Sequence, residues 1–275
     1  MGTSTSSSGG KAGSPFDPEW LDQEGSGMGS SGVVDGADSD DNIEGTQENQ
    51  NVEPNGDIAP DRRFMPARAK LGKYLTGEGR GALRGAARSM INKGMGGAGR
   101  ASRTMRGVAQ GAGRLGQFLE DVRNGTDPQI IDWVQRVRGQ NLSANDLALE
   151  LIKEVMPDTG SVDDESLRNA AADALAQLYE QDPNVDIFQL TDQQIMAVIG
   201  FTIANEICNR MDLQLGQTYE KLKYSPVQIQ GYRNDIKEWV HGEVYRVMEG
   251  LAVQRLDTQA LAKSVLQTAL EVFAE

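Results

Sequence analysis

His241 and Cys208 are the only histidine and the only cysteine in the 275-residue chain, and these two counts bound its chemistry. A Ser-His-Asp triad would have to be assembled around that single ring. A lone thiol forms neither an internal disulfide nor a cysteine-based zinc site. His241 lies in Trp239-Val240-His241-Gly242-Glu243, where a helical register sets it beside an apolar face, and no HExxH spacing surrounds it. A surface or hydrogen-bonded structural histidine fits that setting better than a catalytic base. Cys208 stands near Ile203, Ile207 and Met211 on one helix and reads as apolar filler. The 40 carboxylates can be placed only as i,i+3 and i,i+4 neighbours, which ordinarily form a solvated face, so they nominate no acid–base dyad. The expectation is a chain that is not an enzyme, with no metal site and no cofactor of its own.

Two patterns bear on anions. Gly94 to Gly99 satisfies G-x-G-x-x-G, but a dinucleotide site needs a strand before it and a helical pattern stands there instead. The glycines are read as a turn. Arg100, Arg103 and Arg106 share a helical face, with Arg114 further along, and such a patch could bind a phosphate backbone. Aromatics for base stacking are scarce nearby (Tyr74 and Phe64), and no base-reading motif occurs. Neutralisation by the chain's own acidic residues, or docking of an acidic partner protein, are the alternatives. A third pattern is the start itself, Met1-Gly2-Thr3-Ser4. Removal of Met1 would leave Gly2 with a free α-amine of pKa ~7.7–8.0, a good nucleophile near neutral pH. On composition alone an ordinary disordered terminus is the preferred reading.

Three segments of unlike charge must position these groups. Residues 1–60 carry twelve acids and one base, residues 61–123 four acids and fourteen bases, and residues 124–275 twenty-four acids and twelve bases. The first has isolated apolar residues with no period, and cannot offset the ~1–2 kcal/mol that ordering each residue costs. It is expected to be a disordered acidic leader. Within it, Pro15-Phe16-Asp17-Pro18-Glu19-Trp20-Leu21 gathers two aromatics and two prolines, either a short docking motif anchored by Phe16 and Trp20 or a chance cluster in a linker.

Residues 61–123 read as a basic, Gly/Ala-rich α-hairpin. Leu83, Ala87, Met90 and Ile91 form one helical face, Met105, Val108, Ala112, Leu115 and Leu119 another, and the glycine run turns between them. Gly81, Gly85, Gly107 and Gly111 at four-residue spacing would let another helix approach closely. Residues 124–275 read as an all-α domain of about six amphipathic helices. Their starts are marked by Ser143 with Asp146, Thr191 with Gln194, and Ser225-Pro226 with Gln228. No segment alternates at period two. The fold class is mainly α, a helical bundle with a long disordered N-terminal segment. No apolar run reaches the ~20 residues of a membrane span, and no secretory signal opens the chain, so a cytoplasmic location is expected.

The opening Met1-Gly2-Thr3-Ser4, with Gly9-Gly10, Ser14-Pro15 and Trp20, resembles the start of the QatB family of bacterial anti-phage systems. Arg63-Phe64, Ala67-Arg68, Tyr74-Leu75, Leu83, Ala86, Gly96-Gly97, Ala101, Met105 and Leu115 to Leu119 are similar to that family's basic helical region. The resemblance implies three neighbours: an ATPase (QatA), a QueC-like protein (QatC) and a TatD-like nuclease (QatD). It implies that QatC acts on Gly2, conjugating a deazapurine to it or otherwise processing the terminus. Thr3, Ser4, Pro15, Phe16 and Trp20 would then contact that partner, and ATP and zinc would belong to the partner. A basic adaptor binding nucleic acid for the nuclease is the other function the residues allow.

Overall fold

The computed structural model describes residues 62–156, 160–251 and 257–275. The expected leader, with Gly2, Thr3, Ser4, Pro15, Phe16 and Trp20, lies outside the described residues. Within them the chain is helical, and no strand occurs among the described residues. The helices are α1 (Met65–Lys73), α2 (Arg80–Ser89), α3 (Ala98–Thr104), α4 (Arg106–Asn124), α5 (Pro128–Gly139) and α6 (Ala144–Val155). They continue with α7 (Val162–Gln181), α8 (Asp192–Leu215), α9 (Gln217–Leu222), α10 (Pro226–Gly250) and α11 (Thr258–Ala274). Single π-helical turns, Tyr74–Glu78 and Met90–Gly94, follow α1 and α2.

The helix starts are where the capping residues put them. Ser143 accepts from Asp146 N at 3.2 Å. Thr191 with Gln194 and Ser225 with Gln228 each form a reciprocal capping box, which satisfies two otherwise unpaired backbone donors. Asp127 and Asp257 cap α5 and α11 through Gln129 N and Ala260 N. The six helices expected after residue 124 are α5, α6, α7, α8, α10 and α11. The short α9, which has no cap bond of its own, is a seventh element.

α8 is the hub and packs against α4, α7, α10 and α11. Ile195, Val198, Ile199, Ile203, Ala204 and Ile207 are all buried, and a helix apolar on most sides belongs at the centre of a bundle. α4 lies between α8 and α11. Close approach is made possible by its glycines: a Cβ at Gly116 would meet Ile199 Cδ1 at 2.5 Å and Thr258 Cβ at 3.1 Å, and one at Gly111 would overlap Leu167. Gly81, by contrast, faces open space, so its spacing from Gly85 serves no helix contact.

The two helices flanking the glycine run differ from the expected hairpin in their partners. α2 folds back on α1, while α3 and α4 pack along α11. The apolar faces themselves are as expected: Leu83, Ala87, Met90, Ile91, Met105, Val108, Ala112, Leu115 and Leu119 are all buried. Their burial is completed by α1, α8 and α11 rather than chiefly by each other. Arg62–Glu275 thereby form one compact unit, which the basic and acidic stretches build together. In α5 the leading contact is Trp133, edge-on to Phe118 at 5.1 Å between ring centres, with Ile130, Ile131 and Val134 only half-buried.

Candidate functional site

Between Gly79 and Leu119 the chain has eight cations and no acid. They are Arg80, Arg84 and Arg88 on α2, Lys93 in the π-helical turn, Arg100 and Arg103 on α3, and Arg106 and Arg114 on α4. All eight are exposed. With no carboxylate in this stretch, its cations have no i,i+4 partner, so pairing must come from elsewhere in the fold. Among the described residues only Arg84 finds it, at 3.3 Å from Glu243 of α10. The other seven form no ion pair among the described residues.

The structure brings two of the three expected arginines into one site. Arg103 and Arg106 line a groove of about 520 Å³ between α3–α4 and α11, together with Gln110, Gln259, Lys263 and Leu266. Arg100 is not among its lining residues; its side chain lies over Gly96, where a Cβ would come within 2.8 Å of Arg100 Cδ. The break at Met105 separates α3 from α4, so the expected single arginine face divides there. Lys263, Gln110 and Gln259 were not singled out in the sequence. Lys263 stands about 160 positions from Arg103, and no local pattern reports that distance; the lack of acids between Gly79 and Leu119 was the legible signal.

His241 is held between helices by a hydrogen bond and a ring contact. Its Nε2 stands 2.9 Å from Asn205 Oδ1 of α8, and its ring stacks on Phe201 at 5.8 Å. Asn205 in turn donates from Nδ2 to the Ala170 carbonyl of α7 at 3.0 Å, so one polar line crosses three helices. Burial, aided by Lys237, pushes the imidazole down to about 4, so the ring is neutral near pH 7. An Nε2–H donating to Asn205 leaves Nδ1 buried and without a partner among the described residues. Cys208 is half-buried against the core, and its thiol is pushed up to about 12 by burial, which suppresses thiolate chemistry.

Two buried carboxylates were invisible to spacing. Glu206 accepts from Ser166 Oγ at 2.8 Å and from Asn209 Nδ2 at 3.4 Å, and burial raises its pKa against those bonds. Glu243, 8% exposed, accepts from Trp239 Nε1 at 3.0 Å and pairs with Arg84 and Arg246. Burial alone would raise its pKa, but the hydrogen bonds from Arg246, Trp239 and Arg84 outweigh that and hold it low. Each is consumed by structural bonds. Among the described residues no three His, Cys, Asp or Glu side chains converge as a metal-binding set, and no helix is long and apolar enough to cross a membrane.

The glycine run is a helix stop. Met95 N and Gly97 N donate to the carbonyls of Met90 and Ile91 at 2.8 and 2.9 Å, with Gly96 and Gly97 at φ 78° and 93°. Donors spent on the preceding helix are not aimed at a phosphate, and Gly94 is held against the Phe64 ring, which a Cβ would overlap.

A family model described as QatB, Qat anti-phage system associated protein, matches residues 96–273. The match runs from the glycine stop to the last turn of α11, over the helical body rather than the opening residues. No curated protein and no solved structure matches the chain.

Proposed function

Because the chain belongs to the QatB family and so has a role in Qat anti-phage defence, we propose that it serves there as a subunit without catalytic machinery of its own. It binds a QueC-like partner and presents Gly2, after removal of Met1, to that partner's active site. The family match over residues 96–273 carries this reading, because it assigns the helical body to a multi-component system. For the conjugation route the Gly2 α-amine would be the acceptor: displacing AMP from a deazapurine carboxylate that the partner adenylates with ATP, pyrophosphate leaving in that first step, it would form an amide and release a proton. ATP and zinc would reside on the partner. The setting of His241, Cys208, Glu206 and Glu243, each held in packing or structural bonds, agrees with a chain that supplies no acid, base or nucleophile from its core.

Intact-mass measurement of the protein expressed with and without its neighbouring genes tests the proposal. The expected result is a mass increase on the N-terminal peptide, or its trimming, only in the co-expressed sample. An N-terminal peptide changed by nothing beyond loss of Met1 would reject it.

One observation favours a second reading, a basic adaptor that holds nucleic acid for an associated TatD-like nuclease. Seven exposed cations between Arg80 and Arg114 form no ion pair among the described residues, and a surface of that kind attracts a polyanion by counterion release. The expected signature is DNA or RNA binding that falls steeply between 50 and 200 mM salt.

A further inference from the structure

Cations spread over three helices attract a polyanion without saying where it is held. We infer that the groove between α3–α4 and α11 is the site that grips it, taking one nucleotide unit of a single-stranded nucleic acid with the phosphate on Arg103, Arg106 and Lys263. The inference rests on the nucleic-acid reading and adds a place and a ligand class to it.

This groove is where cations from distant parts of the chain converge, Arg103 and Arg106 from one side and Lys263 from the other. All three are exposed and form no ion pair among the described residues. None of the groove's lining residues is acidic. Asp257, the nearest acid along α11, is occupied as the helix cap, accepting from Ala260 N at 2.9 Å. Two guanidinium forks and an ammonium fit phosphate oxygens in number and geometry.

The rest of the groove suits what a nucleotide carries besides its phosphate. Gln110 and Gln259 each present a donor and an acceptor, as base or ribose edges require. The Gln259 carboxamide is seated against Gly113, where a Cβ would come within 2.7 Å of it. Ala109, Ala260 and Leu266 line the groove between the polar groups, Ala260 being the exposed one of the three, and its volume of about 520 Å³ lies within the ~300–1,000 Å³ of small-ligand sites. A base can enter a groove between helices only when it is free of a duplex stack, which selects a single strand. An acidic peptide also needs an apolar anchor, for which the groove's apolar lining, buried at Ala109 and Leu266, leaves little surface, whereas a phosphodiester carries its charge at every unit. With no aromatic ring in the groove to stack on, recognition is independent of base sequence.

Fluorescence anisotropy of the full chain with a labelled 20-nucleotide oligo-dT strand tests the site. Competing arms use a duplex of the same length, ATP, and poly-L-glutamate. The variant R103E/R106E/K263E is compared with R80E/R88E/R114E, which changes the charge equally outside the groove. Groove reversal is expected to weaken oligo-dT binding at least tenfold, and control reversal less than threefold. Replacing the same three residues by Gln should lower the salt slope by about 2, as for three lost contacts to a single strand. The Gln variant also stands in for the reversed one should that fail to fold. Equal weakening by both charge-reversed variants would overturn the groove while leaving a diffuse nucleic-acid surface. Absence of any oligo-dT binding by the unaltered chain at 50 mM salt would overturn the groove and the nucleic-acid reading together. Tighter groove-dependent binding of the duplex, of ATP or of poly-L-glutamate would reassign the groove to that ligand and overturn the inference.

Discussion

His241 imposes a pH dependence whose sign follows from its burial. The ring ordinarily titrates near 6.5, but in the folded chain only near 4. Above pH 6.5 it is neutral in both states and costs nothing. Between 6.5 and 4 the unfolded chain takes up the proton and the folded chain does not, so stability falls as pH falls through that window. The loss is on the order of 2 kcal/mol once its partial exposure is allowed for. In His241→Gln this part of the dependence disappears, so the gap between wild-type and variant melting temperatures is expected to narrow from pH 7.5 to 4.5. A constant gap would show that the ring protonates equally in both states. Glu243 gives a second contrast. Glu243→Ala leaves Trp239 Nε1 without its acceptor and removes the link from α10 to α2, at a cost of about 1–3 kcal/mol by denaturant unfolding. Arg246→Ala, whose side chain is 65% exposed, should cost under ~1 kcal/mol.

At the scale of helices, glycine has opposite meanings in α4 and α10. At Gly116 an added methyl would meet Ile199 and Thr258, so Gly116→Ala is expected to destabilise by about 1–3 kcal/mol through overpacking. At Gly231, exposed inside α10 with nothing near its missing Cβ, Gly231→Ala should stabilise by about 0.5–1 kcal/mol by lowering the entropy of the unfolded chain. Thermal melts of the two variants in parallel check both signs. If both were stabilised, the close approach of α4 to α8 would not be real. Helix starts were legible from sequence because a cap is a local contract: Thr191 and Gln194, or Ser225 and Gln228, are three residues apart and need no third party. Helix partners were not legible. The apolar faces around Leu83 and Leu115 are legible as faces, yet nothing in them says that the first meets α1 and α11 and the second α8 and α11.

For the whole molecule, charge is unevenly divided along the chain. Residues 62–275 have 26 bases against 27 acids and are close to neutral, while residues 1–60 carry twelve acids and one base. The described residues hold a continuous apolar core of their own. Deleting residues 2–10 is therefore expected to abolish phage defence in a plaque assay while leaving the melting temperature within about 2 °C of wild type. Defence that persists without Gly2 would remove the acceptor role. A large drop in melting temperature would show that the opening residues belong to the fold.

What the sequence by itself determined about this protein is everything set by near neighbours: helical class, most helix starts, the glycine stop at Gly94 to Gly99, and the acid-free basic stretch. A resemblance carried by its opening and basic residues also pointed to the QatB family. Tertiary structure alone decided that Arg103 and Arg106 share a groove with Lys263 while Arg100 does not, and that His241 leans on Asn205 rather than facing water. It also decided that Glu206 and Glu243 are buried and bonded. The reason is one of range. Caps, stops and amphipathic faces are settled by residues within about two helical turns, whereas a groove or a buried hydrogen bond exists only once helices far apart in the chain have packed.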